Sequence, residues 1–227
     1  MPPVSALARE DAPTADDIIR TESDAAMQAQ ESLVALHVIS SSDFPRADFG
    51  WRSVFDRLDA MEMHLVRRAC RWTRFRPVRH ATITVNLLGN GWLYPLIGIA
   101  LAMSGIVHAW QIVVAALLAT GAAHAIYAVA KRVIGRKRPF ERDPTLQPLA
   151  RVLDRYSFPS GHCMTLTAVL TPIIHAAPGL RPVAFAALCV LSWCRLAAAH
   201  HYPSDVLAGI GLGAVIAVPL ARVLVPV

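Results

Sequence analysis

Three polar clusters interrupt an otherwise apolar C-terminal half, and their residue types suit the handling of a tetrahedral oxyanion. Residues 131–139 read KRVIGRKRP, residues 157–162 read SFPSGH, and residues 195–205 read RLAAAHHYPSD. Lys131, Arg138 and Arg195 are cations able to hold such an anion, Arg through its planar fork and Lys as a point charge. Ser160 and Gly161 stand where a helix is expected to begin, so a hydroxyl and free backbone N–H groups can serve the same guest. His201 and Asp205 are four residues apart, close enough for the carboxylate to fix the imidazole tautomer and aim the ring. His162 supplies a second imidazole, and two histidines flanking one phosphate suit a nucleophile and a general acid. An unperturbed imidazole titrates at about 6.5, so both roles are open near neutral pH. With no carboxylate cluster of the kind that holds Mg²⁺, the expectation is a metal-free site needing no cofactor.

The elements that must position these residues read as membrane helices. The 227 residues are 55% hydrophobic, and residues 81–130 contain no Asp, Glu, Lys or Arg. A bilayer core needs about 20 predominantly apolar residues per helix, so that stretch alone holds two spans. Five are expected: from residue 83 or 87 to 107, then 109–134, 160–177, 182–199, and 204 to the C-terminus. If each crosses once, the end of the second, the start of the third, the end of the fourth and the start of the fifth share one membrane face. Clusters scattered over 75 residues then converge on one pocket. Ala208, Gly209, Gly211, Gly213 and Ala214 give the last helix small residues, which let neighbours approach closely.

Upstream, Trp51, Val54, Phe55, Leu58, Met61, Leu65, Ala69 and Trp72 recur at helical steps, opposite a face bearing Arg52, Asp56, Asp59, Arg67, Arg68, Arg71 and Arg74. An apolar stripe with terminal tryptophans and clustered Arg predicts a helix lying in the membrane interface. Pro77 is expected to break it. The fold expected is therefore all-α: an integral-membrane bundle of about five transmembrane helices, preceded by an amphipathic interfacial helix. Its segments are an acidic disordered tail (1–48), the Arg-rich interfacial helix (49–80) and the membrane domain (81–227).

Charge is divided along the chain. Residues 1–62 hold twelve acids and five Arg, a balance of −7, whereas residues 63–227 hold seventeen bases and four acids, a balance of +13. The apolar spans set the basic half apart from a soluble nucleic-acid binder, so no nucleic acid is expected as a partner. Cys70, Cys163, Cys189 and Cys194 form no CxxC pair and predict neither a disulfide framework nor a zinc site. The acidic N-terminus does not resemble a secretory signal.

The clusters also carry a resemblance. K-x6-RP at residues 131–139, PSGH at 159–162 and R-x5-H-x3-D at 195–205, in that order, resemble the three signature motifs of the type 2 phosphatidic acid phosphatase superfamily; HYPSDVLAG at 201–209 is similar as well. The resemblance implies a membrane lipid phosphate phosphatase or pyrophosphatase acting on phosphatidic acid, phosphatidylglycerophosphate or a polyprenyl pyrophosphate. It implies His201 as the residue that becomes a phosphohistidine, Asp205 as its orienter, and His162 as the acid and then the base. Lys131, Arg138, Ser160, Gly161 and Arg195 would hold the phosphoryl oxygens. The third motif usually opens with Ser-Arg; here Cys194 precedes Arg195, and a weaker hydrogen-bonding thiol implies at most a slower enzyme. Vanadate-dependent haloperoxidases have a similar site but are soluble. A catalytically weak membrane scaffold is the remaining alternative.

Other polar residues read as structural. Arg132, Arg136 and Lys137 are expected to anchor lipid headgroups, and His124 and His175 to pack. His200, Tyr202, Trp193, Asn86 and Asn90 are expected to stay outside the chemistry. Six Arg and no acid between residues 63 and 80, with eight Lys or Arg between 131 and 155, put the positive charge on the site's face of the membrane. The positive-inside rule then points the site to the cytoplasm of a bacterial inner membrane. The partners expected are the bilayer and a lipid substrate; nothing in the sequence sets an oligomeric state.

Overall fold

Proline and glycine punctuation sets most of the helix ends. The structure, a computed structural model, describes residues 51–91, 93–105, 107–150 and 152–226. The expected acidic tail lies outside them. The chain divides into two units, residues 1–46 and 47–227, of which the second is the helical body. Its order is α1 (Trp51–Trp72), α2 (Arg76–Leu88), α3 (Leu93–Met103), α4 (Ala109–Ile134), the single turn α5 (Pro139–Arg142), α6 (Gly161–Ala176), a 3-10 turn (Pro178–Leu180), α7 (Arg181–Ala197) and α8 (Pro203–Leu224). Pro77, Pro139, Pro182 and Pro203 all stand in first turns, where the missing N–H costs no helical bond. Among the described residues there is no strand, as the all-α expectation requires.

α6 and α8 pack most closely, with α4 lying against both. Ala119, Ala168 and Ala217, one from each of these helices, meet in the buried centre. A Cβ on Gly209 would fall 2.4 Å from the Ser160 carbonyl oxygen, and one on Gly213 would fall 2.6 Å from that of Met164. Two of the small residues singled out on α8 are thus where the backbones approach, whereas Gly211 has open space around it. The outer surfaces are apolar: Leu117, Leu118, Val129 and Val133 on α4, Val183, Phe185 and Val190 on α7, and Leu207, Val215 and Val223 on α8 are exposed. Without a water-driven effect between lipid-bathed helices, close contact of small residues supplies the association and the large side chains face lipid.

Among the described residues, three stretches are long and apolar enough to cross a membrane: Ala109–Arg142, Pro178–Ala197 and Pro203–Leu224. A fourth joins them if α2 and α3, bent by 65°, form one span. α6, expected as a further span, has 16 residues. At 1.5 Å per residue it is about 24 Å long, short of a ~30 Å hydrocarbon core. It sits sheltered between α4 and α8.

The upstream segment differs from its sequence reading in two ways. One helix was expected over 49–80, but α1 stops at Trp72 and Pro77 opens α2 rather than closing α1. The face of α1 that docks is also mixed, carrying buried Asp59, Val66 and Ala69 beside half-buried Phe55 and Glu62. Part of the predicted apolar stripe (Val54, Met61, Leu65 and Trp72) is left exposed. α1 packs chiefly on α7, where Cys70 Sγ donates to the Leu196 carbonyl at 3.5 Å.

Candidate active site

The candidate residues gather at one end of the bundle, where α4 and α7 finish and α6 and α8 begin. Lys131 lies in the last turn of α4, which Gly135 stops by adopting φ 63 and bonding back to the Lys131 carbonyl. Glycine takes this left-handed turn without a Cβ clash. The chain then folds across the bundle end with Arg136 and Arg138 buried, leaving Arg132 and Lys137 exposed.

Ser160 caps α6, and its N–H donates to the Asp205 carbonyl at 2.9 Å, sewing the start of α6 to the start of α8. Gly161 follows, where a Cβ would fall 2.6 Å from the Tyr127 ring. His162 in the same turn places Nε2 2.8 Å from Asn90 Oδ1, so the Nε2–H tautomer donates to that amide oxygen. Arg195, buried at the end of α7, donates to Asn86 Oδ1. Asn86 in turn donates to the Thr82 and Cys194 carbonyls at 2.7 and 3.4 Å. Both asparagines, read as bystanders in the sequence, therefore hold site residues.

Beyond α7, Ala199 adopts φ 58, a left-handed value costing a residue with a Cβ roughly 1–2 kcal/mol. That turn sets up two histidines. His200 Nε2–H donates to the Ala150 carbonyl at 2.9 Å, and its own carbonyl accepts from Arg138 at 2.8 Å. His201 is buried with Nδ1 3.6 Å from Asp205 Oδ2, outside ordinary hydrogen-bond length but in the pairing that the four-residue spacing anticipates. Burial, followed by the nearby Arg195 and Arg138, pushes His201 well below its ordinary value and His200 down to about 3. Both rings are neutral near pH 7.

Two charged partners escaped the sequence reading. Asp154 bonds Lys131 Nζ at 2.5 Å and Arg138 at 2.8 Å, and accepts from the Tyr127 hydroxyl at 2.5 Å. Burial opposes its charge, but Lys131 and Arg138 hold its carboxyl below the usual range. Lys131 also donates to the Tyr156 carbonyl. The second is Arg136, expected to anchor headgroups. Its side chain is 0% exposed and bonded to Asp59, Glu62, Ser204 and Asp205. No local sequence pattern marked it, since its acids lie on α1, 77 and 74 residues away.

Ser160 Oγ, Arg195 Nε and His201 Nδ1 are buried without a hydrogen-bond partner. Buried polar atoms are nearly always satisfied, so the orphaned Ser160 Oγ and Arg195 Nε, among buried cations, fit a polyoxygen anion, whereas His201 Nδ1 faces Asp205. The residue pattern of the family described as the PAP2 superfamily matches residues 112–226, about half the chain, and takes in every candidate. The chain belongs to the PAP2 superfamily.

Among relatives of this superfamily member, the decaprenylphosphoryl-5-phosphoribose phosphatase of Mycobacterium tuberculosis is 34% identical over 94 residues, covering 41% of this chain and 51% of its own. The lipid A 1-phosphatase of Rhizobium johnstonii is 38% identical over 89 residues, covering 37% of this chain and 36% of its own. The chain thus spans about half the length of the first relative and about a third of the second. A crystal structure of a transmembrane PAP2 type phosphatidylglycerolphosphate phosphatase from Bacillus subtilis is similar with a TM-score of 0.56 at 22% identity, covering 73% of this chain and 85% of that one. That likeness shows the fold, a helical membrane bundle. This PAP2 member is an integral membrane protein.

Proposed function

We propose that this chain is a metal-independent lipid phosphate phosphatase that forms a phosphohistidine on His201. The reading rests on two buried polar atoms without a partner, Ser160 Oγ and Arg195 Nε, among the buried cations, with His201 paired to Asp205 beside them. With Nδ1 turned to Asp205, His201 offers the Nε2 lone pair to phosphorus. As the N–P bond forms, the P–O bond to the lipid breaks, and His162, entering the step as imidazolium opposite the phosphate dianion, gives one proton to the departing oxygen and is left as neutral imidazole. His162, now a base, takes a proton from water; the water oxygen attacks phosphorus, the N–P bond breaks, and inorganic phosphate leaves. Lys131, Arg138, Arg195, Ser160 and the N–H groups around Gly161 stabilise the charge on the non-bridging oxygens throughout.

The substrate class is a phosphomonoester or pyrophosphate at a lipid headgroup. A site at the end of a bundle with apolar outer faces is reached from the headgroup layer, which favours a lipid over a soluble phosphate. The names of the relatives, a phosphoribosyl decaprenyl lipid phosphatase and a lipid A phosphatase, point to glycosylated or polyprenyl lipids as well as glycerophospholipids. The test is phosphate release by detergent-solubilised protein, with chelator present, from phosphatidic acid, phosphatidylglycerophosphate and a polyprenyl pyrophosphate. At least one is hydrolysed, and His201→Ala and His162→Ala each lose activity by about 10³-fold or more. Full activity in His201→Ala would overturn the mechanism.

A further inference from the structure

The Arg136 guanidinium makes four hydrogen bonds and a further close ion-pair contact, to two separate parts of the chain. From α1 come Asp59, reached by Nε at 2.9 Å and by one terminal nitrogen at 2.8 Å, and Glu62, reached at 3.0 Å. From α8 come Ser204 Oγ at 2.7 Å and Asp205 Oδ1 at 2.5 Å. The guanidinium carbon also stands 4.8 Å over the ring centre of Phe55 and 4.2 Å over that of Tyr202. Glu62 reaches the same place by a second route, accepting from the Ser204 N–H at 3.0 Å and its hydroxyl at 2.7 Å. Asp205 faces Arg136 through Oδ1; its Oδ2 accepts from the Tyr202 N–H at 2.8 Å and faces His201.

We propose that Arg136 is a positioning residue for the His201–Asp205 pair, held in place by Asp59 and Glu62, so that helix α1 is a working part of the active site. The proposal rests on the phosphatase reading above. A carboxylate buried as deeply as Asp205 stays ionised only with a cation and hydrogen bonds at hand. Arg136 supplies the cation, and a fork matched to Asp205 on one edge and to Asp59 on the other fixes its angle in a way that a point charge would not. With the carboxylate ionised and fixed, His201 keeps the tautomer that leaves Nε2 free. The charged and titratable groups bearing on Asp205 are Arg136 and Lys131 near the end of α4, Asp59 and Glu62 on α1, Arg142 on α5 through Asp59, and His201 itself.

The experiment uses the full chain in detergent, with Arg136→Gln, Arg136→Lys, Glu62→Gln and, as a control, the exposed neighbour Arg132→Gln. The probes are phosphatidic acid, phosphatidylglycerophosphate and a polyprenyl pyrophosphate for turnover and orthovanadate, a phosphate mimic, for thermal protection. Arg136→Gln is expected to lower kcat by about 10²-fold or more with KM changed less than about threefold. Its activity is also expected to fall away on the acid side at higher pH than the parent, because Asp205 then takes a proton more easily. Arg136→Lys restores part of the rate, Glu62→Gln loses about tenfold, and Arg132→Gln matches the parent. Arg136→Gln with a parental kcat and an unmoved acid limb overturns the proposal; if that variant does not fold, the same result in Glu62→Gln and Arg136→Lys does so. Should the parent release phosphate from no probe, the phosphatase reading fails by itself. Orthovanadate then decides the positioning: protection weakened in the Arg136 and Glu62 variants supports it, and parental protection in them overturns it.

Discussion

At Lys131 and Arg138, the cations assigned to phosphate are already bonded to the Asp154 carboxylate, at 2.5 and 2.8 Å. An incoming phosphoryl group competes with that carboxylate for the same charges. Asp154→Asn is expected to lower the inorganic phosphate concentration for half-inhibition by three- to tenfold, the ~1 kcal/mol range of a partly exposed ion pair. Weaker inhibition would instead show that Asp154 chiefly holds the two cations in place. His200 gives a separate pH signature. Unfolded histidine binds its proton near about 6.5, whereas folded His200 does so only near about 3. Between those values the unfolded chain carries the extra proton, so stability rises with pH and is lost as pH falls below about 6.5. The thermal midpoint is expected to drop from pH 7.5 to pH 5, and His200→Gln to flatten that slope.

The helices show what local pattern can and cannot carry. The motif residues were legible because each group is short and counting membrane crossings is enough to bring them to one end. Their partners were not legible: Arg136 meets Asp59 and Glu62 across 77 and 74 residues, and no local periodicity encodes such a pair. Acids on an amphipathic helix normally belong to its wet face, so the sequence puts Asp59 on that face and Arg136 among the headgroup anchors. Pro77 misled for a related reason, since a proline that ends one helix and a proline that begins the next look alike in sequence. The small residues of α8 were read correctly as a close-packing strip, but the sequence did not say which of them make the contact. Gly209→Ala must move a backbone oxygen 2.4 Å away and is expected to cost about 1–3 kcal/mol. Gly211→Ala, with open space, is expected to be neutral or slightly stabilising. Thermal unfolding of both variants in one detergent separates them.

For the molecule as a whole, the exposed side chains of Arg67, Arg68, Arg71, Arg74, Arg76 and Arg79 lie on α1, α2 and their junction. Exposed Trp72 and Phe75 lie in the same region, the pairing of cations and aromatics expected at a headgroup layer. Because α1 reaches the site through Arg136, this basic band and the site share one end of the bundle. A reporter fused after residue 227 is therefore expected to lie on the non-cytoplasmic side, opposite the start of α8; a cytoplasmic reporter would reverse the assignment.

The Arg136 junction also constrains how the protein can be made. The Ser204 N–H and Glu62 carboxylate that close it are separated by 142 residues. Synthesis delivers α1 before α8, so α1 emerges early and completes its docking late. The Arg136–Asp205–His201 arrangement is thus complete only after α8 has entered the membrane, so a nascent fragment lacks it.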